Sequence, residues 1–144
     1  MTRIDFYILS AITDNRLLFA CRLAGKIYTQ GYRLYIHAES QHEVAQIDEL
    51  LWTFSAANFL PHGLCESGAD SGLPIQIGCN SEPARIDGHD GDVLINVTST
   101  VPLFFSRFAR VAEIVGPDES DKLAARERFR FYRDRGYALE SHTI

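Results

Sequence analysis

Residues 3–38 read RIDFYILSAITDNRLLFACRLAGKIYTQGYRLYIHA, and they decide the fold. Arg3 to Leu9 is a run of β-branched and aromatic residues, which predicts a first strand. Leu17, Leu18, Cys21, Leu23, Ala24, Ile27 and Tyr28 then recur at helical spacing and predict a helix over 14–30, with Asp14 as its N-cap and Gly31 as its stop. Arg33 to Ala38 returns to strand composition. A strand–helix–strand opening is a βαβ unit, so its two strands are expected to be parallel and joined by a right-handed crossover.

The rest of the chain continues the alternation. Ser40 stands three residues before Glu43, the pattern of a capping box. The helix it opens carries Val44, Ile47, Leu50 and Leu51 and ends near Trp52. Residues 53–74 contain Pro61, Gly63, Gly68, Gly72 and Pro74 and read as loop, followed by a short strand at Ile75–Ile77. Residues 80–91 read as a polar surface turn, and Asp92 to Val97 is the strongest buried-strand run. Pro102 is expected to open a helical segment holding Leu103, Phe104, Phe105 and Phe108. Arg110 to Val115 fits a helix end or a strand. Residues 118–135 form a last helix that Gly136 stops. Helices alternating with strands imply a three-layer α/β fold with a mostly parallel sheet.

At 144 residues and 46% hydrophobic composition, the chain suits one domain, residues 1–144, with one core. No targeting signal or run of some 20 apolar residues is visible, so the expected location is the cytoplasm and no membrane partner is expected. Cys21, Cys65 and Cys79 are too far apart for a CxxC motif and behave as small apolar residues. The net charge of −5 argues against a general nucleic-acid binder. The charge is uneven, however. Residues 122–144 hold six Lys or Arg against three acids, a local +3 that leaves −8 on the remainder. A basic end on an acidic body points to a local anionic ligand.

Chemistry is harder to find. The turn Ser10-Ala11-Ile12-Thr13-Asp14 has no glycine, whereas a phosphate-binding turn after a first strand needs glycines for close backbone approach. No GxxxxGK[ST], GxSxG or HExxH pattern occurs, and His37, His62 and His89 have no metal-ligand spacing. Asp87-Gly88-His89-Asp90-Gly91-Asp92 fails calcium-loop spacing and reads as a solvated turn. Asp48 and Glu49 are adjacent on a helix and point apart. No catalytic residue, cofactor or metal is therefore expected. The rival reading, a nucleotide-binding or hydrolytic α/β enzyme, rests on the fold class alone.

Two surfaces stand out instead. On the last helix, at about 100° per residue, Lys122, Arg126, Arg130 and Arg133 fall on one side. Phe129 lies at its edge beside Ala125 and Tyr132, and Arg128 and Phe131 lie away from it. Guanidinium forks beside a ring suit a peptide bearing carboxylates and an apolar side chain. A solvated amphipathic helix whose aromatics pack on the core fits the same pattern. Direct single-strand binding by this helix is a third reading, against which the net charge speaks. The second surface pairs Trp52 with Phe59, which serve either as core plugs, favoured on composition, or as interface anchors.

Asp5-Phe6-Tyr7-Ile8-Leu9, Ile47-Asp48-Glu49-Leu50-Leu51-Trp52, Phe59-Leu60-Pro61-His62, Asp92-Val93-Leu94-Ile95-Asn96 and Ala125-Arg126-Glu127-Arg128-Phe129 with Tyr132-Arg133 resemble, in order and spacing, the chi subunit of bacterial DNA polymerase III. The resemblance spans almost the whole chain and implies a Rossmann-like α/β domain without polymerase activity. It implies a heterodimer with the psi subunit, which tethers chi to the clamp loader. It also implies binding of the acidic C-terminal tail of single-stranded DNA-binding protein, a tail that ends in acids, a Pro and a Phe. Nucleic acid would then be met only indirectly. Carried onto this sequence, the resemblance assigns Trp52 and Phe59 to the psi surface. It assigns Val115, Lys122, Arg126, Phe129 and Arg130 to the tail pocket, with Arg107 and Arg110 as candidates for its rim. Where the family commonly has Tyr and Lys, this chain has Phe129 and Arg130, which keep the ring and the charge but lose a hydroxyl.

Overall fold

The computed structural model describes residues 2–10, 15–53, 61–64, 74–79 and 92–144. Its elements in chain order are β1 (Arg3–Ile8), α1 (Arg16–Thr29), β2 (Leu34–His37), α2 (Gln41–Thr53), β3 (His62–Leu64), β4 (Ile75–Gly78), β5 (Val93–Asn96), a 3-10 turn (Phe105–Arg107), β6 (Arg110–Val115), α3 (Glu119–Asp134) and β7 (Ala138–Thr143). The strands form one sheet in the order β3-β4-β2-β5-β6-β1-β7, and every pair is parallel. The fold is thus an α/β domain of Rossmann-like architecture.

The first and second strands are parallel, as the opening motif predicts, yet they are not neighbours: β5 and β6 lie between them. From β1 the chain moves one way along the sheet through α1, and from β6 it moves the other way through α3. The two helices pack on opposite faces, as a single crossover hand requires. On one face Ala20, Cys21, Ala24 and Ile27 of α1 and Val44, Ile47 and Leu51 of α2 pack on Leu34, Ile36, Val93, Ile95, Ala112 and Ile114. On the other, Ala125 and Tyr132 of α3 join Ile4, Phe6, Tyr35, Leu94, Phe105, Phe108, Val111 and Val115. The alternation of these residues along β1, β2, β5 and β6 is the two-residue period of a strand buried on both faces.

Several boundaries differ from expectation for local reasons. Asn15, not Asp14, caps α1, its Oδ1 accepting from the Leu17 and Leu18 amides at 2.9 and 3.2 Å; Asp14 itself lies outside the described residues. Half of the expected capping box of α2 forms: Ser40 Oγ accepts from the Glu43 amide at 3.3 Å, while the Glu43 carboxylate accepts from the amide of Glu39, one residue before the cap, at 3.1 Å. Gly31 and Gly136 follow α1 and α3 at φ of 90° and 80°, where a side chain is disfavoured. Pro102 does not open a helix; only the 3-10 turn forms, and Phe104, Phe105 and Phe108 are inserted into the core as a loop. Arg110–Val115 is strand. Within the expected loop 53–74 the short β3 pairs with β4, and β7 pairs with β1 at the C-terminus, where no element was expected. No helix of the described residues is long and apolar enough to cross a membrane.

Candidate functional site

In a doubly wound sheet, ligands sit beyond the carboxyl ends of the strands where neighbouring connections leave on opposite faces. Here that position lies between β6 and β1, and side chains fill it. The Arg16 guanidinium donates to the Val97 carbonyl and pairs with Glu43 at 3.3 Å. Glu39 accepts from the Ser99 amide at 3.1 Å. A Cβ on Gly116 would collide with the Asp121 carboxylate, so this turn brings α3 against the strand end. The remaining cavity, lined by Arg16, Glu39, Glu43, Asp121 and Arg128 among others, is about 100 Å³, well under the roughly 300 Å³ of a small-molecule site.

The inner face of α3 is bonded to the sheet by a buried polar cluster. Glu113, in the middle of β6, has no solvent exposure. Its carboxylate accepts from Arg128 Nε at 2.9 Å, Asn96 Nδ2 at 2.9 Å and the Tyr132 hydroxyl at 2.6 Å. Arg128 also donates to the Ser99 carbonyl at 3.2 Å. Burial pushes the Glu113 carboxyl up from its ordinary value while Arg128 pulls it down. Burial, with Glu113 beside it, pushes the Tyr132 hydroxyl up. Both oxygens of the Glu113 carboxylate accept hydrogen bonds, which is what makes so deep a carboxylate tolerable. Sequence reasoning placed Arg128 off the cationic stripe but did not find this cluster. The available signal was a lone Glu inside the apolar run Arg110–Val115.

The outer flank of α3 is different. A groove of about 220 Å³ runs between it and the sheet, lined by Phe6 and Ile8 of β1, Val115 of β6, Lys122, Ala125, Arg126 and Phe129 of α3, and Ser141 of β7. Phe129 is half-buried, its ring 5.5 Å from that of Phe6, so it forms the wall of the groove rather than a core plug. A second depression of about 250 Å³ adjoins it, lined by Arg126, Phe129, Arg130 and Arg133. Four of the five residues assigned to a tail pocket, Val115, Lys122, Arg126 and Phe129, therefore line one groove, and Arg130 lines the adjoining depression. Arg126 has no ion-pair partner among the described residues, while Arg130 is paired with Glu127 at 3.3 Å and Arg133 with Asp134 at 3.4 Å, all well exposed. Such exposed pairs exchange readily for another carboxylate.

Phe6, Ile8 and Ser141 were not anticipated as lining residues. The alternation of β1 could have supplied the first two; Ser141 depends on β7, which the sequence did not announce. Arg110 is not on this rim. It points from the opposite face of the sheet to Asp5, at 3.1 Å, because β6 residues of even number face α1.

Trp52 stands at the end of α2 and is 55% exposed, so the core-plug reading fails for it. Its ring meets that of His62 edge-on at 4.7 Å, and His62 Nε2 lies 3.1 Å from Asp48. Phe59 and the 87–91 part of the Asp87–Asp92 turn lie outside the described residues. Cys21 is buried and its thiol is pushed up to about 12 by burial, in keeping with a small apolar residue.

The family model described as DNA polymerase III chi subunit, HolC, matches residues 1–140. The DNA polymerase III subunit chi of Pseudomonas aeruginosa is 41% identical over 145 residues, covering 100% of this chain and 98% of that protein. The proteins of the same name from Haemophilus influenzae and Escherichia coli are 32% and 30% identical, each alignment covering 96% or more of both partners. Among solved structures, the chain is similar to T4 UvsW, with a TM-score of 0.73 at 9% identity over 99% of this chain and 41% of that one. It is also similar to Mss116p DEAD-box helicase domain 2, with a TM-score of 0.63 at 12% identity over 96% of this chain and 63% of that one. At such identities these two likenesses concern the fold alone.

Proposed function

Because this chain belongs to the DNA polymerase III chi subunit family, we propose that it is a non-catalytic accessory subunit of the clamp-loader complex. In this reading it links the psi subunit to the acidic C-terminal tail of single-stranded DNA-binding protein. One observation carries the tail assignment: an apolar groove bounded by Phe6, Ile8, Val115 and Phe129 with Lys122 and Arg126 on its lining and further arginines beyond.

The chemistry of each part matches a part of such a tail. A terminal Phe ring would enter the groove against Phe129 and Val115; burying a ring of that size contributes about 1.5–3 kcal/mol. The terminal carboxylate and the preceding acids would meet Arg126, Lys122 and Arg130. Arg126 supplies a planar fork that can hold a carboxylate through two parallel hydrogen bonds. Phe129 in place of a tyrosine leaves the ring contact intact. The exposed Trp52 supports the assignment of the α2 end to psi, since a solvent-facing tryptophan is a typical interface anchor; Phe59 is proposed for the same surface on the family resemblance. The protein then acts as a mechanical coupling between the loader and protein-coated template.

Isothermal titration of a peptide carrying the tail against wild type and Arg126→Ala tests this. Binding should weaken at least tenfold in the variant, as loss of a charged hydrogen-bonding partner of about 1.5–3 kcal/mol implies. Equal binding by the two proteins would remove the pocket assignment.

A further inference from the structure

A cavity of about 400 Å³ lies on the other face of the sheet from the α3 groove. α1 packs over β2 and β6 there, and reaches β1 through Phe19 against Tyr7. The result is a trough with Asp5 and Tyr7 on its floor, Phe19, Arg22, Leu23 and Lys26 of α1 as one wall, and Arg110 and Ile144 at its ends.

Two observations single it out. The first is charge. α1 carries Arg16, Arg22 and Lys26 and no acid, in a chain whose net charge is −5. Arg22 and Lys26 are exposed, one turn apart, and neither has an ion-pair partner among the described residues. Like charges at this spacing oppose helix formation, so the arrangement is one that an anion would relieve. The buried Asp5 carboxylate holds Arg110 at 3.1 Å and Arg3 at 3.5 Å beside the trough, and Arg3 is also paired with Glu140 at 2.6 Å, so the excess positive charge there is that of Arg22 and Lys26. The second is a row of rings. Phe19 and Tyr7 lie with centroids 5.6 Å apart, and Tyr7 stacks on His142 of β7 at 5.0 Å.

We propose that this trough is a second binding site, for single-stranded DNA. Cations along a groove lined with aromatic rings are what sequence-tolerant single-strand binding requires: phosphates meet the cations and bases stack on the rings. Phe19 and Tyr7 offer ring faces on which bases can stack, which favours a nucleotide strand over an acidic peptide; Val93 and Ala112 also line the trough, and the Asp5 carboxylate opposes either anion equally. The negative net charge keeps the affinity low. On the tail-docking reading above, low affinity is sufficient: the α3 groove and the trough lie on opposite faces of β1 and β7, so both can be filled at once, and a tethered protein meets the strand at high local concentration.

The test is fluorescence anisotropy with a labelled oligothymidylate of about 20 nucleotides, without any tail peptide. Three phosphate contacts, from Arg22, Lys26 and Arg110, imply roughly a 20-fold loss of affinity between about 50 and 200 mM salt. Arg22→Glu/Lys26→Glu should weaken binding at least tenfold at the lower salt, Arg22→Gln/Lys26→Gln less so, both with wild-type circular dichroism. Arg126→Glu/Arg130→Glu, in the α3 groove, should bind the oligonucleotide within about twofold of wild type. No binding at the lower salt, equal binding by the α1 variants, or loss caused by the α3 pair instead would overturn the site. So would a poly-glutamate peptide that binds more tightly than the oligonucleotide and is lost with the α1 charges.

Discussion

Arg126 and Arg128 stand two residues apart on one helix and do opposite work. Arg128 is 3% exposed and locked between Glu113 and the Ser99 carbonyl. Arg126 reaches into solvent at the lip of a groove with no ion-pair partner among the described residues. A local charge of +3 over residues 122–144 counts them alike, but only the solvated one is available to a ligand. Charge is a resource for binding where water still competes for it, and a structural fastener where water has been removed.

The same substitution at the two positions should therefore separate stability from binding. Arg128→Met leaves the Glu113 carboxylate buried without its cation and should cost about 3–5 kcal/mol in urea denaturation, with part regained in Arg128→Met/Glu113→Gln. Arg126→Met should stay within about 0.5 kcal/mol of wild type. Equal unfolding free energies for the two variants would show that Arg128 is no more structural than Arg126.

In binding the order reverses. Arg126→Met should lose at least tenfold in affinity for the acidic tail peptide, an effect that shrinks as salt screens the pair. Arg128→Met, measured where it remains folded, should retain most of it. A third arm uses Trp52, whose exposure predicts that Trp52→Ala changes stability by less than about 1 kcal/mol while disrupting co-purification with psi. A large destabilisation with the complex intact would return Trp52 to the core.

The smallest effect concerns a half-buried imidazole. His37 lies against the edge of Phe104 at 5.1 Å, and burial holds its imidazole below the ordinary value of 6.5, with Glu39 opposing. The unfolded chain then binds the extra proton first, so the His37 contribution is present above pH 6.5 and declines as pH falls through that value toward the folded one. The stability advantage of wild type over His37→Gln should accordingly narrow between pH 7.5 and about 5.5. A constant difference would show that His37 titrates alike in the folded and unfolded states.

Much of this was legible in the sequence, and the rest was hidden for physical reasons. The elements β1, α1, β2, α2, β5 and α3 follow from periodicity and caps because each is long enough to show its own period. β3 is a three-residue edge strand, and β7, although six residues long, depends on pairing with β1 at the far end of the chain and has no apolar alternation to announce it. The 102–108 segment misled because its aromatics are inserted individually rather than on a helical face. The stripe Lys122, Arg126, Arg130 and Arg133, with Phe129 at its edge, is visible because helical spacing alone brings it together. The groove beside it is not, since Phe6, Ile8 and Ser141 come from strands that only the assembled sheet places there.

The direct test of the docking claim is a nuclear magnetic resonance titration of the isotope-labelled protein with the acidic, Phe-terminated peptide. The account requires the amide shifts to concentrate at Val115, Lys122, Ala125, Arg126 and Phe129, and to leave Arg22 and Lys26 unmoved. Saturable binding with the α3 flank silent and the perturbed residues elsewhere would contradict it.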